Sequence, residues 1–430
     1  MTAVEGRPGV PAAGEQRIAL RRRISGVLVA SQILGGLGVA TGVALASVLA
    51  QRISGTESLS GLAPTAMVTG TAVASLPLAA LMTARGRRPG LVVGYLVGAL
   101  GAGVVVVAAV VDSFPLLLCG MAGFGAASAA NLGARFAAAD LAEPDRRARA
   151  ISNVVWATTI GAVLGPNIAA PAGRSVSGLG IPTTAGPFLW AAGIFLAAAV
   201  TVAVLLRPDP LLTARALAPV EERSAGGRSL RAGFAAVAAS PRARLALVTV
   251  AMCHTAMVSV MSMTPVALEH HGASIDLIGL VISGHIAGMY AFSPLMGRLS
   301  DGVGRLSGIG LAVGLLACAA FLAGTADGSH GRTAVGLFVL GLGWSAGLVS
   351  GSALLTDSVP DAVRAAAQGL SDLVMNTAAG LGGATAGLVM ATAGYGWLNL
   401  AAACLLIPVG ALALFTRGGL RRGRDAKARG

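Results

Sequence analysis

Two short stretches of the chain hold side chains suited to one kind of chemistry. The first reads AMCHTAMVSVMSMTP, from Ala251 to Pro265. Met257 and Met261 are four residues apart, so a helix puts both on one face, with His254 about one turn earlier. The second reads VISGHIAGMY, where His285 and Met289 repeat the i, i+4 spacing. Thioether and imidazole are ligands that suit a soft cation such as Cu(I). The same side chains also serve as core or gating groups, because methionine fills irregular gaps between helices, or as contacts to an organic solute. Cys253 and the nearby Glu269, His270 and His271 could assist metal capture.

Composition says what kind of element must position these groups. The chain has 430 residues, 55% apolar and 11% charged. Soluble domains carry about 25% charged residues, and a single core stops growing near ~250–300 residues. A soluble enzyme and a disordered chain are therefore excluded, as is a membrane β-barrel, whose strands alternate apolar and polar. A helix crosses the hydrocarbon core with about 20 apolar residues. That ruler predicts twelve spans, at 24–50, 61–83, 90–111, 115–138, 150–171, 187–206, 245–267, 277–297, 307–325, 333–355, 367–391 and 397–416. The first is too long for a signal-peptide core and is expected to be retained. The longest polar gap, 207–244, makes a central loop between a first half at 24–206 and a second at 245–416, with tails at 1–23 and 417–430.

The charges test this count. The net charge is +13, from 30 Arg and Lys427 against 18 acids, but nearly all the cations sit in the gaps between apolar runs. That is the footprint of topology rather than of a nucleic-acid-binding face. With twelve alternating spans, 28 of the 31 cations fall on one side and only Arg52, Arg174 and Arg332 on the other. The positive-inside rule makes the first side cytoplasmic, with both termini inside, in the cytoplasmic (inner) membrane. Within this frame Met261 and His285 lie about 9 and 12 Å below the outer ends of spans 7 and 8, and Met257 and Met289 about 15 and 18 Å. The two pairs would form two layers near the midplane. The remaining cysteines, Cys119, Cys318 and Cys404, fall inside spans without metal-site spacing and read as packing residues.

The halves repeat. Gly86-Arg87 matches Gly304-Arg305 at an offset of 218, and Gly123 and Gly125 match Gly341 and Gly343 at the same offset. Ser152 and Gly161 match Ser371 and Gly380 at 219. Two parallel six-helix halves are the architecture of rocker-type secondary transporters. The loop GRLSDGVGR, Gly297 to Arg305, resembles the signature loop of the major facilitator superfamily, G-x-L-x-D-x-x-G-R. The resemblance covers essentially the whole chain. It implies an all-α integral membrane protein of the major facilitator fold, with Gly297, Asp301, Gly304 and Arg305 as gate residues and Gly86, Arg87 and Arg88 as their first-half counterparts. Asp301 can face a helix N-terminus and Arg305 a carboxylate across the gate. The first-half copy has Ala79 at the first glycine and Thr83 at the aspartate. GAVLGP, Gly161 to Pro166, is similar to the core of a drug-exporter motif, but Ala169 and Ala170 stand where its glycines are usual, and Cys119 where exporters carry an arginine.

The M-x-x-x-M and H-x-x-x-M patterns of spans 7 and 8 resemble the CcoA-like copper importers of that superfamily, a branch that also includes riboflavin importers. The resemblance implies copper handling by Met257, Met261, His285 and Met289. Buried ionisable groups mark function in a membrane. Asp372 in span 11 reads as a proton-coupling site, a gate partner of Arg85 or Arg87, or a plain buried group. Arg135 and Asp140 lie near the end of span 4, where snorkelling suffices to explain them. No GxxxxGK[ST] occurs, so ATP does not drive transport, and no catalytic constellation or cofactor is expected. The expectation is a monomeric secondary transporter for a small solute. Copper import leads, export of organic compounds or riboflavin import are alternatives, and a non-transporting membrane sensor is the rival class. Lipid is its other partner.

Overall fold

The computed structural model describes residues 13–43, 45–56, 59, 61–217 and 230–416. Regular structure among these residues is helical throughout. Among the described residues, eleven helical stretches are long and apolar enough to cross a membrane: Ile18–Ser54, Leu62–Arg85, Arg87–Val110, Phe114–Asp140, Gly186–Leu217, Pro241–His270, Leu277–Val303, Arg305–Gly324, His330–Ser358, Arg364–Ala393 and Tyr395–Thr416. Span 5 makes the twelfth as a bent pair, Pro144–Gly165 and Asn167–Ser175, turned by 42°. The break falls at Pro166, which lacks the amide for the helix ladder. Local sequence sets the other ends. Ser240, Ser274 and Ser329 cap spans 7, 8 and 10, each hydroxyl accepting an amide of the first turn.

Small residues let the helices approach. A methyl group on Gly101 of span 3 would overlap the backbone of Gly123 and Phe124 in span 4, so only glycine permits that crossing. One apolar core lies mainly in the first half and another mainly in the second. The first gathers Leu28, Leu91, Phe124, Phe188 and Phe195, and the second Met257, Met289, Leu316, Leu337 and Trp344. Between halves, span 2 packs on span 11 and span 5 on span 8, and span 4 touches spans 10 and 11.

The Arg-rich segments meet at one end of the bundle. Arg21 bonds Glu143, the Arg88 amide bonds Asp209, and Arg305 reaches Pro144. At the other end Arg52 bonds Thr184 and His330 bonds the His271 carbonyl. Part of the predicted central loop is helical: Pro210–Leu217 and Leu230–Ala239 form two short helices. Of the predicted N-terminal tail at 1–23, residues 13–23 belong to the helix Ala13–Val43, while 1–12 and the C-terminal tail at 417–430 lie outside the described residues.

Candidate functional site

The Arg-rich end is closed by charged contacts between the halves. In the second half the loop turns at Gly304, whose φ of 92° suits glycine alone. Asp301, at the end of span 8, accepts the amides of Ala148 (3.1 Å) and Arg149 (2.9 Å) in the first turn of span 5. A carboxylate there satisfies orphan amides and meets the positive end of the helix dipole. Arg305 bonds Asp301 on its own half and donates to the Pro144 carbonyl (2.5 Å) of the other. It also pairs with Asp357 (3.0 Å), which receives Arg147 of the first half as well (2.6 Å). Behind them, a methyl group on Gly297 would overlap the Ser152 hydroxyl, so spans 5 and 8 are in contact here. At the rim, outside the spans, Glu143 has its carboxyl held below the usual range by the hydrogen bond from Arg21.

The first half repeats the turn at Gly86, φ 95°. Arg87 grips Asp140 with two bonds, of 2.7 and 3.1 Å, and reaches across the halves to the Gln368 amide oxygen in span 11. The Arg88 amide donates to Asp209, and its guanidinium to the Ala203 carbonyl. Deeper still, Arg135 of span 4 pairs with Asp372 of span 11 at 2.5 Å. Arg135 also donates to Ser352 and the Leu132 carbonyl, and stacks 4.3 Å from the Phe136 ring centre.

These pairings correct two expectations. Arg135 and Asp140 do not snorkel to an interface: both are buried and each is neutralised by an opposite charge. The partner of Asp372 is Arg135, not Arg85 or Arg87, because Arg87 is committed to Asp140 and Arg85 is exposed.

Spans 7 and 8 are joined through span 10. Met257 and Met289 lie in one apolar cluster, and Met261 packs against it. His285 is fully buried, with Nδ1 2.8 Å from the Leu337 carbonyl of span 10. A carbonyl only accepts, so Nδ1 carries the proton, and Nε2 is left buried with no hydrogen-bond partner. His254 turns instead to Trp344, whose indole donates to its Nδ1 at 2.7 Å. Cys253 is buried against Gly347, while Glu269, His270 and His271 are exposed. Among the described residues no three of His, Cys, Asp and Glu gather closely enough to hold a metal ion.

The sequence reading missed Gln368, Ser352, Arg147, Asp357 and Trp344. The repeat held a signal for two of them. Asp140 and Asp357 are 217 apart, as are Arg147 and Arg364, nearly the offset of Arg87 and Arg305. A further polar group in the first half links Gln32 to Thr158 at 2.8 Å and leaves the Gln32 Oε1 buried without a partner.

Two six-span halves, closed on each other at one end by the buried Arg135–Asp372 pair and the Arg147–Asp357 pair at the rim, define a membrane transporter. The sequence model of the Major Facilitator Superfamily matches residues 27–274 and 245–430, and the chain belongs to that family. It is 37% identical over 404 residues to the uncharacterized MFS-type transporter YddS of Bacillus subtilis, covering 92% of each chain. It is 30% identical over 400 residues to the riboflavin transporter RfnT of Brucella anthropi, covering 92% of this chain and 95% of that one. Among solved structures it is similar to the Major Facilitator Superfamily transporter FucP in the outward conformation. The TM-score there is 0.71 at 15% identity, over 91% of this chain and 98% of that one. The protein is thus a multi-pass membrane transporter and not an enzyme.

Proposed function

We propose that this transporter is a monomeric alternating-access carrier of a small organic solute, with Asp372 as its coupling group. The Arg135–Asp372 pair carries the reading. It is buried, it joins the two halves, and it must break before the closed end can open. Protonating Asp372 would remove the attraction, so a proton gradient could drive the cycle. The 28-to-3 division of cations favours a cytoplasmic location for the closed end. Riboflavin is the first solute to test, because RfnT is 30% identical over nearly the whole chain. The unpartnered Gln32 oxygen offers an acceptor to the donor groups of such a solute. Uptake of labelled riboflavin into proteoliposomes, with and without a pH gradient, decides it. Accumulation that follows the gradient supports the reading, and none in either direction removes riboflavin.

A second reading, copper import, is favoured by one observation. The free Nε2 of His285 is buried in the half whose core holds Met257 and Met289, with Met261 beside them. Cu(I) titration of the purified protein against a competing chelator tests it. Binding that His285→Leu or Met261→Leu abolishes supports copper, since leucine keeps the bulk of methionine and discards the ligand. No binding ends the copper reading and leaves the carrier untouched.

A further inference from the structure

The two halves close the Arg-rich end by different means. Asp301 of the second half caps the first turn of span 5. One repeat earlier stands Thr83, whose hydroxyl only turns back to the Ala79 carbonyl. Arg215, on the short helix Pro210–Leu217 between the halves, occupies this place. Its Nη1 donates to the Thr83 carbonyl (2.8 Å), its Nη2 to the Ala362 carbonyl (2.9 Å) and its Nε to the Asp361 carbonyl (3.4 Å). Thr83 lies in the last turn of span 2, where unpaired carbonyls make the negative end of the helix dipole. A cation suits that end as an acid suits the first turn of span 5.

The helix bearing Arg215 is fastened to the first half. Asp209 caps it by accepting the amides of Leu211 and Leu212, and its other oxygen accepts the Arg88 amide at 2.7 Å. Leu211 is buried in the first-half core. Arg215 therefore moves with the first half, while Asp361 and Ala362 belong to the turn between spans 10 and 11 of the second.

We propose that Arg215 is a positioning residue of the transport cycle, a latch that holds the Arg-rich end closed in place of the acid missing at position 83. The proposal rests on the alternating-access reading. Its bonds to the Asp361 and Ala362 carbonyls exist only while the halves are together, so losing them favours the state in which this end is open.

The test uses the full chain in liposomes, with the four native cysteines replaced by alanine. Spin labels stand at Arg23 and Arg244, both exposed at the Arg-rich ends of spans 1 and 7. Distance distributions between them give the ratio of open to closed molecules. Arg215→Ala is expected to raise that ratio about threefold or more. Adding Thr83→Asp should return it toward the parent, because an acid there can cap Ala365 and Ala366 as Asp301 caps span 5. Arg215→Lys keeps the charge but cannot span three carbonyls, so it should shift the ratio part of the way, and it carries the test if the alanine variant fails to insert. A parent-like distribution in both Arg215 variants overturns the latch, as does an opening that Thr83→Asp does not relieve. Asp301→Asn separates the two levels. If it opens the protein and Arg215→Ala does not, the latch alone fails. If neither moves the labels, the alternating-access reading fails with it.

Discussion

Arg135 and Asp372 hold each other in the buried interior. Removing one partner of such a buried pair is costly, about 3–5 kcal/mol, because the other is left uncompensated. Asp372→Asn mimics the protonated acid and keeps its shape. We expect it to cut gradient-driven accumulation in proteoliposomes by about tenfold or more while exchange at equal concentrations continues, as loss of a coupling group requires. Both modes falling together would make the pair a gate contact only, and unchanged accumulation would take Asp372 out of the mechanism. The acid was legible in the sequence, since a carboxylate inside a span needs a reason. Its partner was not. Arg135 lies 237 residues away, and near the end of span 4 a long cation can reach the interface unaided. Only the approach of spans 4 and 11 shows that it turns inward. The soft-ligand groups were legible as a spacing but not as a set of neighbours. Spacing put Met257, Met261, His285 and Met289 at matching depths, but helix neighbourhood decided their contacts, and span 10 lies against both spans 7 and 8.

Spans 5 and 8 are joined by a contact that is built twice. Asp301 caps span 5 through two amides, and Gly297 lets the helices touch at Ser152, whose carbonyl also accepts the Ser293 hydroxyl at 3.0 Å. A helix cap contributes about 0.5–2 kcal/mol, enough to bias two states of similar energy. Asp301→Asn should therefore slow transport by about tenfold without loss of expression, as measured by initial uptake rates per inserted protein. Gly297→Val should do more. Its branched side chain wedges the spans apart, so a membrane-impermeant thiol reagent added at the Arg-rich end should label a cysteine at Ser152 faster in this background than in the parent. Thr83→Ala should leave uptake within about twofold, because Arg215 grips the Thr83 carbonyl, which alanine keeps. The gate glycines and Asp301 could be read from the motif. The helix Pro210–Leu217 could not, since the eight residues PLLTARAL are too few to carry a decisive period.

At the scale of the whole molecule, duplication explains both the symmetry and the places where it fails. Arg87 with Asp140 and Arg305 with Asp357 are the same ion pair made twice, one per half, each behind a glycine with positive φ. Asp372 faces no equivalent acid, for its repeat-mate is Asn153, and Arg215 serves a loop whose acid is gone. The asymmetric residues are thus the ones that the proposed coupling and latch use, and which way they would act depends on how the bundle lies in the membrane. Among the described residues the Arg-rich segments meet at the closed end, joined by Arg21–Glu143, Arg88–Asp209, Arg147–Asp357 and Arg305–Pro144. Charge retention on the cytoplasmic side during insertion acts on short loops such as these. Reporter fusions after Gly55, Ser113, Gly178, Gly272, Gly328 and Gly394 should therefore report the outside, and fusions within 207–244 the cytoplasm. An odd number of crossings before residue 207 would place one of these sets on the wrong side and leave the Arg-rich segments split between two compartments, contrary to their contacts. Two or more reversed fusions would overturn the twelve-span topology, and with it the assignment of the closed end to the cytoplasm. The expected pattern places the closed end inside, so a membrane-impermeant thiol reagent supplied from outside should not label a cysteine at Ser152.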